Sequence, residues 1–368
     1  KKGEYEKALN HLKKVIQLEP NNIQCNAIIA TIYKELRNFK NALECYKKIF
    51  VIDPNNLMAV SGVVDLFNTL RLKNLTESNS KELIEIFTFL YKKNSINHNL
   101  LFNNAKSLII FEEDNKIIEN LYKTELSFLR DNFVLSILKK ELFHLMLQKS
   151  LFRDKSLEKF LYTIRKEFLL LLKKNKVSFL KEYLNFILSF AAQSSLNEYV
   201  IFQSVEEMSY IDILKDKIEK SKNINEVEIA ILACYLPLNC SEIITKNLSN
   251  FLSPNYLFNE LIKIQIKDIL EEKKLRKTIN SIEIDDKVSK KVREQYEENP
   301  YPRWKNINKI SPTDSLSDLN NDIKPNQIFL NKKPTINNIL VVGCGTGQQL
   351  AKHSVYTDSN VLAIDLSL

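Results

Sequence analysis

Glycine is scarce in this chain, with five residues in 368 and none between Ser80 and Ile284. That span also holds only two prolines, Pro237 and Pro254. Without glycine the φ > 0 turns of tight hairpins are hard to make, which argues against a β-rich domain there. Cysteine is sparse as well: Cys25, Cys45, Cys234, Cys240 and Cys344. None forms a C-x-x-C pair or stands at metal spacing from a histidine, so no metal site is expected. An odd, scattered set of thiols points to a reducing compartment, and a cytoplasmic protein is expected. Long apolar runs are missing too. The longest, near Phe168–Leu172 and Phe186–Ala192, break too early to span a bilayer, so no membrane association is expected. No signal peptide is recognisable, although the chain opens Lys-Lys-Gly without a methionine, which leaves a targeting segment upstream open. The net charge is +8, but the lysines are interspersed with glutamates. A nucleic-acid surface would cluster them on one face among aromatics, so no nucleic-acid partner is expected.

What is present begins with a repeat. G-E-Y-E-K-A-L-N-H-L-K-K-V-I-Q-L-E-P-N-N (Gly3–Asn22) aligns at an offset of 34 with R-N-F-K-N-A-L-E-C-Y-K-K-I-F-V-I-D-P-N-N (Arg37–Asn56). Tyr5 maps to Phe39, Ala8 to Ala42, Leu9 to Leu43 and Pro20 to Pro54. The period, the small alanine, the aromatic and the terminal proline resemble the tetratricopeptide repeat. Ala8 and Ala42 are small where antiparallel helices must approach. Pro20 and Pro54 lack an N–H and disfavour a helical residue before them, so each stops its helix. Leu9, Leu12 and Ile16 share one helical stripe. Ala30 and Tyr33 fall at the small and aromatic positions of the family's first helix. A third helix over Leu57–Leu72, with Val64 and Phe67 in phase, continues the array. No proline follows at the next step, so the array ends or degenerates there. The chain enters mid-repeat, and more repeats are expected upstream. The resemblance implies a protein partner, a protein substrate, or packing against the chain's own next domain.

The middle third, from about Ser80 to Ile284, reads as helical. Asp154 is placed to cap a helix whose Leu157, Phe160, Leu161, Ile164 and Phe168 recur at helical spacing. A second helix is expected through Phe179–Phe190, and Ala233–Cys240 ends another at Pro237. His144 fits a core or boundary position and His98 a polar loop. The carboxylates of Asn197–Val200 and Glu206–Met208 fit solvated helix faces. No catalytic role is assigned in this region.

A short basic run, Lys273–Lys277, reads as a solvated face. A helix over Ile284–Glu298 then leads into Q-Y-E-E-N-P-Y-P-R-W, Gln295–Trp304, where Pro300 and Pro302 force an extended path. The chain's only tryptophan is here. Tyr301 and Trp304 suit docking on a groove or covering a ligand, or else seal the back of the next domain. Asn308–Pro325 is polar and turn-rich, a connector with one short helical turn.

Three of the five glycines stand together in V-V-G-C-G-T-G-Q-Q-L, Val341–Leu350. The apolar run Ile339–Val342 precedes them, a helical pattern starts at Gln348, and a second apolar run, Asn360–Asp365, ends in an acid. This is a β-α-β unit in about thirty residues. Nicotinamide and flavin enzymes use G-x-G-x-x-G, and the sixth position here is Gln348, so that pattern fails. The G-x-G-x-G spacing with the acid after the second strand resembles the first motifs of a class I S-adenosylmethionine-dependent methyltransferase. The Tyr-Glu…Pro-x-Pro segment resembles an element just upstream of the core in some of these enzymes. The whole arrangement resembles bacterial proteins that fuse tetratricopeptide repeats to such a domain.

The resemblance implies S-adenosyl-L-methionine as cofactor and Gly343, Cys344, Gly345, Thr346, Gly347, Asp365 and Leu366 as the residues that bind it. Glycines let the backbone approach the methionine part and take positive φ. The helix start after the loop offers unpaired N–H groups. Asp365 would accept both ribose hydroxyls. Cys344 reads as an inert neighbour and His353 as a helix-surface residue. No catalytic residue and no methyl acceptor are readable.

The fold expected is therefore mostly α: tetratricopeptide-type hairpins (1–75), a helical middle region (76–284), a pre-core helix and linker (285–335), and the first β-α-β unit of a Rossmann-like methyltransferase domain (336–368). Such a domain takes about a hundred further residues. The chain is accordingly expected to be a fragment at both ends, without tight cofactor binding, its strands Ile339–Val342 and Val361–Ile364 marginally stable unless they stick against the helical part. The competing expectation is a non-catalytic repeat scaffold with a vestigial nucleotide-binding half-fold.

Overall fold

The computed structural model describes residues 2–73, 75, 77–111, 114–124, 127–221, 223–279, 285–298, 304–307, 314–328 and 336–367. The chain divides into two compact units, one of Lys1–Leu66 with Thr278–Leu368, the other of Phe67–Lys277.

The first unit opens with α1 (Lys2–Leu18), α2 (Ile23–Glu35), α3 (Phe39–Ile52) and α4 (Leu57–Thr69). Each proline of the repeat lies two residues past a helix end, as its missing N–H requires. The Asn-Asn pair that follows does the next job. Asn22 Oδ1 accepts from the Cys25 N–H at 2.8 Å, and Asn56 Oδ1 from Ala59 N–H at 3.1 Å. Each asparagine thus caps the following helix. The turns match in detail, because the Asn22 N–H donates to Glu19 O and the Asn56 N–H to Asp53 O, both at 3.1 Å. Within the repeat, α2 ends with Arg37 in the left-handed region (φ 57°), and the Asn38 side chain caps α3.

Packing follows from small residues. Ala30 and Ala42 are fully buried and let α2 and α3 close on one another. Buried Tyr46 of α3 reaches α4 at Gly62, where an added Cβ would lie 2.4 Å from the tyrosine Cζ. A glycine inside a helix costs about 1 kcal/mol relative to alanine; here it makes room for the ring.

The second unit is helical among its described residues: α5 (Glu77–Lys92), α6 (Phe102–Ile109), α7 (Asp114–Thr124), α8 (Asn132–Leu138), α9 (Glu141–Lys149) and α10 (Lys155–Lys173) come first. They are followed by α11 (Val177–Glu182), α12 (Leu184–Leu196), α13 (Val205–Lys220), α14 (Glu226–Ala233), α15 (Glu242–Ser249), α16 (Tyr256–Ile262) and α17 (Asp268–Arg276). A π-helical stretch, Lys263–Lys267, joins the last two. Asp154 caps α10 through the Leu157 N–H at 2.9 Å, and all five residues of the expected stripe are buried.

Three details differ from the sequence reading. The helix expected through Phe179–Phe190 breaks at Tyr183, whose dihedrals are not helical and whose buried ring packs on Phe168 and Phe179. His98 is buried rather than in a polar loop; it opens a 3₁₀ turn, His98–Leu101, and its ring stacks 5.0 Å from Tyr91. Glu207 is likewise buried. One of its oxygens completes a capping box with Ser204, and the other accepts from Tyr235 Oη at 3.0 Å. Buried Arg165 stands 3.9 Å from it, lies 4.1 Å over the Tyr235 ring and donates to the carbonyl of Phe202. A buried carboxylate needs such partners; Ser204 is local, but Arg165 and Tyr235 come from distant segments, so local periodicity cannot reveal them.

The rest of the first unit contains α18 (Lys287–Glu298), α19 (Ser315–Asp322), β1 (Asn337–Val342), α20 (Gln348–His353) and β2 (Ser359–Ile364). The strands pair in parallel, Asn337 opposite Ser359 through Val342 opposite Ile364. Ile339, Val341, Val361 and Ala363 lie on the more covered face, and Leu340, Val342, Leu362 and Ile364 are exposed. At the amino ends of the strands, Asp358 accepts from the Ser315 N–H at 3.0 Å and from Asn337 Nδ2 at 3.1 Å. Tyr356 Oη donates to Asp318 at 2.6 Å. These bonds fasten α19, two turns long where the connector was expected to have one, to the sheet.

Candidate functional site

Because β1 and β2 run in parallel, Gly343 and Asp365 both leave carboxyl ends of neighbouring strands. Open α/β sheets take their ligands at that edge. The Gly343 and Cys344 N–H groups donate to Ile364 O at 2.9 and 3.2 Å and carry the pairing into the loop. The chain then turns back on itself, with the Gly347 N–H donating to Cys344 O at 2.9 Å. Gly343, Gly345 and Gly347 have φ of 70°, 50° and 81°, a region L side chains seldom adopt. A Cβ added at Gly343 or Gly347 would meet nothing within 4 Å. The requirement for glycine there is dihedral, and the backbone stays open to a ligand's approach. Gly347 serves as the cap of α20.

Asp365 faces this loop. Its Oδ2 accepts from the Gly345 N–H at 2.7 Å, and its Oδ1 from the Ser367 N–H and hydroxyl, each at 2.9 Å. Partial burial raises the carboxyl's pKa, but the bonds from Ser367 and Gly345 outweigh it and hold the group below its usual value. The carboxylate therefore stays charged and keeps acceptor capacity beyond these bonds. Leu366 beside it is exposed. Burial, and then the Asp365 charge, push the Cys344 thiol up, which keeps it protonated at neutral pH and a poor nucleophile.

Trp304 lies against the same loop. Its Nε1–H is shared between the carbonyl and the hydroxyl oxygens of Thr346, both at 3.1 Å. Nothing in the sequence ties these two residues beyond the rarity of tryptophan, since 42 positions separate them. Pro300, Tyr301, Pro302 and Arg303 of the same motif, Ile284 at the expected start of the preceding helix, and 308–313 of the connector lie outside the described residues.

The hairpins present a second surface. Lys34 of α2 and Asp65 of α4 form an ion pair, so the two helices are neighbours. The exposed stripe of α2 is Gln24, Ile28, Thr31 and Glu35, and that of α4 includes Met58, Ser61 and Asp65. Ile28 and Met58 are 50% and 53% exposed, apolar positions with small polar neighbours. The exposed part of α3 carries Lys40, Glu44 and Lys48 along its length and Val51 and Ile52 at its end. Charge-depleted, partly apolar patches are the usual cores of protein interfaces.

Residues 23–56 match the tetratricopeptide repeat family. The match starts at the first residue of α2 and ends at the asparagine that caps α4. No curated protein and no solved structure matches the chain. Among the described residues, no group of three or more His, Cys, Asp or Glu could hold a metal, and no helix is long and apolar enough to cross a membrane.

Proposed function

We propose that the chain is a protein-interaction protein whose partner seats on the exposed side of α2 and α4. The observation that carries this reading is the coincidence of the tetratricopeptide match with a hairpin whose first helix exposes Ile28. Repeat stacks of this kind commonly bind other proteins across such a surface. The test is affinity capture with the chain and with its Ile28→Asp, Met58→Asp variant. A partner held by the parent and lost from the variant, with the melting temperature of both unchanged, supports the reading. A partner held equally by both contradicts it.

One observation favours a second reading, that of a class I methyltransferase. Three alternating left-handed glycines join two parallel strands, and an acid at the end of the second strand bonds back to the loop. In this reading the loop and Asp365 form half of a site for S-adenosyl-L-methionine, which supplies a methyl group on a sulfonium sulfur. Gly343, Gly345 and Gly347 bring bare backbone against the methionine part, with Cys344 and Thr346 between them. Gly345 and Ser367 occupy three of the roughly four lone-pair sites of Asp365, so it accepts from one ribose hydroxyl through the site left on Oδ2, and Leu366 adds apolar surface. The two readings combine if the partner held by the repeats is the methyl acceptor. Calorimetric titration of S-adenosylmethionine into the protein is the test. Micromolar binding that disappears in Asp365→Ala supports the reading, and binding of NADH instead sinks it.

A further inference from the structure

The chain's only tryptophan reaches the glycine loop from 42 residues away. An indole has one N–H, a donor only. Here that proton is shared by two oxygens of the same residue, the carbonyl and hydroxyl of Thr346, both at 3.1 Å. Two acceptors fix the direction of the ring as well as its place. Thr346 sits between Gly345 and Gly347, at φ 50° and 81°. Glycine populates both signs of φ with similar ease, so these residues cannot hold the loop's shape by themselves. The Ile364 carbonyl holds the start of the loop, and two side chains tie its middle. Asp365 binds the Gly345 N–H at 2.7 Å from the end of β2, and Trp304 binds the adjacent Thr346 from the segment that follows α18.

We infer that Trp304 is a positioning residue for the glycine loop, a strap that holds Thr346 and thereby sets the spacing between the loop backbone and Asp365. Those are the two features that would hold the methionine and ribose parts of the cofactor, and for the identity of that ligand the inference rests on the methyltransferase reading. The strap itself does not depend on the ligand. It gives the Gln295–Trp304 motif a role at the ligand edge of the sheet.

The experiment uses the ¹⁵N-labelled chain, in which one tryptophan gives one indole N–H resonance. Thr346→Val removes the hydroxyl acceptor and spares the carbonyl. It is expected to shift that resonance and speed its exchange with water by less than the roughly five-fold factor of a whole ordinary hydrogen bond, because the carbonyl acceptor remains. Trp304→Phe is expected to move the amide resonances of Gly343, Gly345 and Gly347 while leaving those of α2 and α3 in place. An indole resonance unmoved by Thr346→Val, together with loop amides unmoved by Trp304→Phe, overturns the strap. A separate arm adds S-adenosylmethionine. A saturable shift of the indole resonance, with affinity reduced about five-fold in Trp304→Phe at an unchanged melting temperature, supports both strap and cofactor. No response to S-adenosylmethionine, or a response to NADH instead, overturns the cofactor reading and leaves the strap to be judged on the first arm.

Discussion

Gly62 is a residue that helix propensity alone would remove. It lies inside α4, and a Cβ there would stand 2.4 Å from the Cζ, and equally from the hydroxyl, of buried Tyr46. Gly62→Ala therefore trades a propensity gain of about 1 kcal/mol against overpacking that typically costs about 1–3 kcal/mol. The ring is held in a core, so the cost is expected to win. Denaturant titration should show a net loss of stability in Gly62→Ala, and less than additive loss when Tyr46→Leu is combined with it. A gain in stability in the single variant would mean that the ring yields freely. The loop glycines obey a different rule, since nothing lies within 4 Å of an added Cβ at Gly343 or Gly347. Their clustering was plain in the sequence and their φ values follow from it. The bonds from Trp304 and Asp365 that pin the loop were not plain, because both are tertiary.

At the scale of elements, the Pro-Asn-Asn ends show how far a sequence can be read. Repetition at an offset of 34 and the helix stops were legible. The role of the asparagines was open to the same reading, because an asparagine just before an apolar helical stripe is a capping signal. Asn22→Ala and Asn56→Ala are each expected to cost about 1 kcal/mol in thermal or denaturant unfolding. Because the two turns share their hydrogen bonds position for position, the two losses should be similar. A variant that loses nothing would show that its cap is replaceable by water. The break at Tyr183 was not legible. Apolar spacing runs smoothly through it, and only the packing of its ring on Phe168 and Phe179 explains the kink. The parallel strands and the short helix between them fall close to where apolar runs and glycines put them.

At the scale of the whole molecule, the helical class was readable from missing glycine and from periodicity. The Arg165–Glu207–Tyr235 cluster was not, since its members come from three separate segments of the chain. The candidate surfaces differ in the same way. The hairpins are visible in sequence because their alanine, aromatic and Pro-Asn-Asn pattern recurs, whereas the exposed Ile28 and Met58 fall opposite Gly62 and Gln24 at that offset, so the face they form, like the loop's site, shows only after folding. The central claim is that a protein partner lies on the side of α2 and α4. Site-specific photocrosslinking tests it most directly, with the crosslinker placed at Ile28 in one version of the chain and at Glu44 of α3 in another. The account predicts a discrete protein adduct from position 28 that is absent from position 44. Equal adducts from both positions, or an adduct from position 44 alone, would contradict it.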